Sequence, residues 1–187
     1  MIKNYLTLLK LRVVELLIVT TIPAMFLAAK GFPDLKIALA TVIGGTLAAG
    51  SANAFNMAIE SDRDRLMTRT ASRPTAQQVI SKKNSYIFAT AVGIISLAIF
   101  QIFTNTLATL LTLFAIVFYV IGYTIILKPN TSQNIVWGGI AGCMPVLIGW
   151  AAIENKISLT AILFFLVVFF WTPPHFWALA IKHKSDY

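Results

Sequence analysis

Long apolar runs separated by short polar stretches make up nearly the whole 187-residue chain. Hydrophobic positions fill 13–29, 35–59, 86–103, 107–127, 135–153 and 159–181, with few charges inside them. Each run reaches or approaches the roughly 20 residues that a helix needs to cross about 30 Å of hydrocarbon. Backbone groups facing lipid have no water to pair with, so runs of this kind must be helical. The pattern predicts an all-α integral membrane protein, a multi-helix transmembrane bundle with about six spanning helices. One connection, 60–85, is long and polar, and the others are short.

Composition supports the lipid setting: 58% of residues are hydrophobic, 12% are charged, and the mean hydropathy is +0.79. A soluble core of this size could not hide so much apolar surface. The single cysteine, Cys143, offers neither a disulfide framework nor a zinc pattern. The net charge of +8 raises nucleic acid as a partner, but its placement argues against that reading. Twelve Lys and Arg fall on one side of the predicted spans and three, Lys30, Lys36 and Lys156, on the other. By the positive-inside rule both ends of the chain and the 60–85 loop face the cytoplasm. The positive charge is thus topological, and no nucleic acid is expected.

The charges of that loop begin in order, acids before arginines, in NAFNMAIESDRDRLMTRTASRP at 53–74. Asn56, Glu60 and Asp64 are spaced i, i+4, i+8, which keeps them on one side of a helix. An amide oxygen and two carboxylates on one face suit a hard cation such as Mg2+, which takes one or two carboxylates together with substrate phosphates. Arg65, Arg69 and Arg73 repeat the four-residue spacing and could clamp such phosphates. Ordinary exposed helix pairs show the same spacing, and on spacing alone the two readings weigh the same. Asn53 and Asn56 favour a site, since two amides inside a membrane helix are costly without a task. Asp62 lies off this face and reads as solvated.

The pattern Asn56-x-x-x-Glu60-x-x-x-Asp64 followed by Arg69-Thr70-x-x-Arg73-Pro74 resembles the first acidic motif of the membrane-embedded aromatic prenyltransferases. NIVWGGIAG at 134–142, Pro145, IGWAA at 148–152 and WTPPHFWALAI at 171–181 are similar to the haem-directed branch, the protohaem IX farnesyltransferases or haem O synthases. The resemblance runs from about Leu9 to Tyr187. It implies a single transmembrane prenyltransferase domain, 1–187, multi-pass in the cell inner membrane. The implied reaction transfers a farnesyl group from farnesyl diphosphate to a vinyl group of haem b, giving haem O. Mg2+ would be held by Asn56, Glu60 and Asp64, the implied catalytic set. Diphosphate would be met by Arg65, Arg69 and Arg73; Lys128, on the turn between the fourth and fifth spans, could also reach it, although a topological role is the preferred reading. The lipid bilayer is the implied surrounding, and haem A synthase a partner by analogy. Alternatives are a quinone or other aromatic prenyltransferase of the same superfamily, an ion transporter, or an inactive fragment.

Two departures from the family pattern stand out. Glu60 replaces the usual Asp, setting that carboxylate one methylene further out. The family carries nine spanning helices and a second acidic loop after the sixth, whereas this chain stops at KHKSDY, 182–187. A C-terminal truncation is therefore expected, with Asp186 as the first residue of the second motif. His175 could ligate haem iron or hydrogen-bond a carbonyl freed by Pro173 and Pro174, and the second reading is preferred. His183 reads as interfacial. Glu15 reads as snorkelling or paired with Arg12. The pairs Gly138/Gly142 and Gly45/Ala49 read as close helix contacts, and the aromatic group from Phe164 to Trp177 as packing or lipid-facing surface.

Overall fold

The computed structural model describes residues 2–68 and 70–182, and every regular element among them is helical. The order is α1 (Ile2–Leu9), α2 (Leu11–Ala29), α3 (Leu35–Asp64), α4 (Lys82–Phe103) and α5 (Thr106–Val117). Helix α5 continues without a break as a π-helix, Phe118–Leu127, and closes with the short α6 (Lys128–Asn130). Then come α7 (Asn134–Glu154) and α8 (Leu159–Lys182). Among the described residues five helices are long and apolar enough to span a membrane, and six crossings result if the bent pair of α1 and α2 counts as one span. The expected all-helical membrane bundle is what the chain forms.

Polar side chains start the helices. Asp34 accepts from the Ile37 N–H at 3.0 Å, Ser81 from Asn84 at 3.1 Å and Asn105 from Ala108 at 2.9 Å. Each satisfies a backbone donor that the first helical turn leaves without an internal partner. Asn105 also donates to the carbonyl of Ala151 at 2.7 Å, tying the start of α5 to the end of α7. That end closes on Asn155 in the left-handed region, φ 50°.

Inside the bundle α3 and α4 form a hairpin, while α7 packs against α2, α5 and α8. Two hydroxyls stitch the hairpin: Ser51 donates to Ala89 O and Ser96 to Gly44 O, both at 2.7 Å. A Cβ on Gly44 would sit 2.9 Å from the fully buried Phe100 ring, and one on Gly149 would sit 2.9 Å from the Thr21 carbonyl. Close approach thus falls at Gly44 and Gly149. Gly45 and Gly142 face open space, so the pairs expected from small-residue spacing are only partly contact positions. Gly138 does lie tight against the Tyr123 ring. Spacing identifies a stripe, but which stripe meets a neighbour depends on how the helix is rotated.

The largest boundary differences lie on either side of the polar connection. Helix α3 runs five residues past Ile59 to Asp64, and α4 begins at Lys82 instead of Tyr86. In both cases hydropathy ends before the helix does, because a helix can emerge into water and carry charges there. The connection between them folds back on the bundle. Thr75 donates to Met57 O at 3.1 Å, Thr70 to Asp64 O at 3.1 Å and Arg65 Nε to Ala76 O at 2.9 Å. Thr70, Thr75, Ala76 and Ile80 are buried as a result.

Candidate active site at one mouth of the bundle

The last turns of α3 present Asn56, Glu60 and Asp64, and all three are buried, at 3%, 6% and 3% exposure. Ionised carboxylates do not stay buried without partners, and each here has a cation. Arg73 Nη1 donates to both oxygens of Asp64 at 2.8 Å. Lys128, at the start of α6, bridges Glu60. Lys10 Nζ donates to Asn56 Oδ1 at 3.1 Å, and the amide nitrogen of Asn56 donates to Thr124 Oγ1 at 3.3 Å. Three elements outside α3 therefore supply one cation to each of its three candidate ligating groups.

The π-helix explains how Lys128 and Thr124 reach this face. Thr124 Oγ1 donates to Tyr119 O, five residues back, at 2.9 Å, and the wider turn of such segments re-aims side chains, often at functional sites. Tyr119 and Tyr123 lie ring to ring at 5.4 Å, with Tyr119 within electrostatic reach of Glu60 and Arg73. At the elbow between α1 and α2, Lys10 feels Arg73, Glu60, Lys128 and Asp64 together.

A cavity of about 250 Å³ opens beside the cluster, lined by Glu60, Arg63, Thr124 and Pro129 among others. A larger one, about 490 Å³, lies on the loop side with Asp62, Arg65, Thr75 and Lys82 in its wall, and includes neither Glu60 nor Asp64. Among the described residues no three His, Cys, Asp or Glu gather as a metal cage. Two carboxylates and an amide oxygen nevertheless fit Mg2+, whose remaining ligands are commonly water and substrate phosphate.

The structure does not bring all the expected residues together. Arg65 follows Asp64 by one position, which rotates it about 100° around the helix, and it pins the loop at Ala76 O instead of joining the acid face. Arg69, His183 and Asp186 lie outside the described residues. Asp62 is exposed and paired with Lys82 at 2.7 Å. Asn53 has a structural task, donating to Leu9 O at 3.1 Å. His175 is exposed and stacks on Trp171, ring centroids 4.5 Å apart. A helical side chain leans over the residue four positions back, which puts the imidazole on that indole. Sequence reasoning missed Lys10, Thr124 and the two tyrosines as members of the cluster. For Thr124 and the tyrosines the sequence offers only polar side chains recurring in an otherwise aliphatic run, which does not say which face they meet, and for Lys10 it offers no signal.

Residues 17–187 match the UbiA prenyltransferase family, and the chain belongs to it. Proteins named protoheme IX farnesyltransferase are similar over its whole length. That of Leifsonia xyli subsp. xyli is 52% identical over 100% of this chain and 61% of the relative. That of Renibacterium salmoninarum is 52% identical, over 99% and 58%, and that of Streptomyces coelicolor 50%, over 100% and 59%. The chain thus spans about three fifths of the length of these relatives. Among solved structures, a UbiA homolog from Archaeoglobus fulgidus bound to GPP and Mg2+ superposes with a TM-score of 0.70 at 19% identity. It covers 92% of this chain and 62% of the homolog, and the likeness establishes a common fold.

Proposed function

We propose that the chain carries the first half of a farnesyltransferase site acting on haem b, in a cell inner membrane with this mouth facing the cytoplasm. The observation that carries the reading is the buried oxygen face of Asn56, Glu60 and Asp64, ringed by cations at the end of an apolar bundle. Half-identical relatives bearing the farnesyltransferase name supply the substrate pair. Orientation rests on the twelve-to-three distribution of Lys and Arg.

In this reading Asn56, Glu60 and Asp64 hold Mg2+, which supplies charge stabilisation for the departing diphosphate. Arg73 and Lys128, now on the acids, turn to the phosphate oxygens, with Arg69 expected beside them. The allylic C–O bond breaks with its electron pair going to diphosphate, and the haem vinyl carbon forms the new C–C bond. Water then supplies the hydroxyl and releases a proton. The apolar bundle excludes water until the C–C bond is made.

The test is product mass. Membranes carrying the chain, alone or co-expressed with the part of a relative that it does not span, receive haem b, farnesyl diphosphate and Mg2+. Haem O is the expected product, and its formation stops with EDTA. Prenylation of a hydroxybenzoate in place of haem would move the chain to another branch of the family.

A further inference from the structure

Lys10 is in an unusual position for a residue that only satisfies membrane topology. Its backbone adopts φ 49°, ψ 53°, a left-handed conformation that is costly for a residue with a Cβ and tends to persist where function requires it. It sits at the break where the chain bends by 51° between α1 and α2. The elbow is anchored on both sides. Leu8 is fully buried, Leu9 packs where a Cβ on Gly50 would be, and Asn53 donates to the Leu9 carbonyl at 3.1 Å. The outcome is a half-buried ammonium placed 3.1 Å from Asn56 Oδ1, 46 residues away in sequence. Lys3, on the same short helix, stays exposed and would serve topology equally well.

Charge counting shows what Lys10 lacks. Arg73 neutralises Asp64 and Lys128 neutralises Glu60. Lys10 is left with an uncharged amide as its partner, so this set of five charged groups carries one positive charge in excess. A partly desolvated cluster with one cation in excess is unfavourable and becomes favourable once a further anion arrives.

We propose that Lys10 is a binding residue for the diphosphate of the substrate, held on Asn56 until that oxygen is taken by the metal and then turned to the anion. The inference rests on the proposed function, because it needs a metal on Asn56. The α1–α2 elbow is then the part that delivers the cation, and its anchoring sets where the diphosphate sits.

The experiment measures binding of inorganic diphosphate with Mg2+ to the full chain in phosphatidylcholine nanodiscs by calorimetry. Lys10→Gln should weaken binding about tenfold or more, the scale of one lost charge-assisted hydrogen bond. Lys10→Arg should restore most of the loss, and Lys3→Gln should match the unmodified chain. Equal affinity for Lys10→Gln and the unmodified chain would overturn the proposal, as would Lys10→Arg binding no better than Lys10→Gln. A second measurement needs no variant: amine acylation of Lys10, read by mass, should slow when Mg2+ and diphosphate are added together. Unchanged labelling also counts against it. If the unmodified chain binds no diphosphate, the reading of the whole site falls. If Asp64→Ala abolishes binding while Lys10→Gln keeps it, only the role of Lys10 falls.

Discussion

Helices α3 and α8 are both long enough to cross a bilayer, yet they are built in opposite ways. The inward face of α3 is mostly Ala, Gly, Ser and Asn, and 39% of its apolar window is buried. Helix α8 is rich in Phe, Trp, Leu and Val, and only 17% of its window is buried. In water the greasier helix would be the inner one. In lipid the tails are as apolar as leucine, so hydrophobicity drives a helix into the membrane without driving it against another helix. Small residues and interhelical hydrogen bonds decide what is inside. Helix α3 has both, and it is also the helix that carries the buried acids.

The largest effect should follow from removing one of those acids. Asp64→Ala leaves the partly buried Arg73 guanidinium with no counter-ion, and breaking a fully buried pair costs about 3–5 kcal/mol, an upper bound for this partly exposed one. Mg2+-dependent binding of diphosphate should vanish, while membrane insertion, which depends on the apolar runs, stays intact. Calorimetry on the variant, with alkaline extraction of the membranes as the insertion control, checks both. Undiminished binding would end the case for α3 as the active helix. Next in size is Gly44→Val. Its Cβ would meet Phe100 Cε2 at 2.9 Å, and that ring has no exposed side to move into. Overpacking of this kind costs about 1–3 kcal/mol, read as a lowered thermal midpoint in detergent. A neutral result would mean that the α3–α4 seam is looser than its two 2.7 Å hydrogen bonds imply.

The same contrast explains what the sequence could and could not tell. The spans were legible because a run of about 20 apolar residues has few alternatives. The acid face was legible because i, i+4, i+8 spacing is local, and a helix carries it unaided. What surrounds that face was not, because the partners come from far along the chain. Lys10 lies 46 residues before Asn56 and Thr124 lies 68 after it. Only tertiary packing joins them, and the π-helix that aims Thr124 has no simple sequence signature. Arg65 shows the opposite failure. Its four-residue spacing to Arg69 and Arg73 suggested one clamp, but a loop leaves the helix after Asp64 and the periodicity stops having meaning there. Asn53 was read as a sign of chemistry, and its amide turned out to be a bolt for the Leu9 carbonyl.

The smallest effect belongs to α8, and its smallness is informative. Val167 is 65% exposed on that helix. Val167→Leu adds a methylene to a surface that the bundle does not cover, so no neighbour has to give way. The thermal midpoint should correspond to less than about 0.5 kcal/mol, whereas the single added side chain at Gly44 should be plainly destabilising. Both substitutions raise apolar bulk in a membrane helix, so hydropathy alone predicts no difference between them. If the two variants melt alike, burial in this bundle does not separate its inside from its lipid face. If Val167→Leu is silent in the 187-residue chain but destabilising when the rest of a relative is co-expressed, the exposed face of α8 is a seam for further helices. In that case the aromatic helix would be inner after all, closing the same mouth that α3 opens.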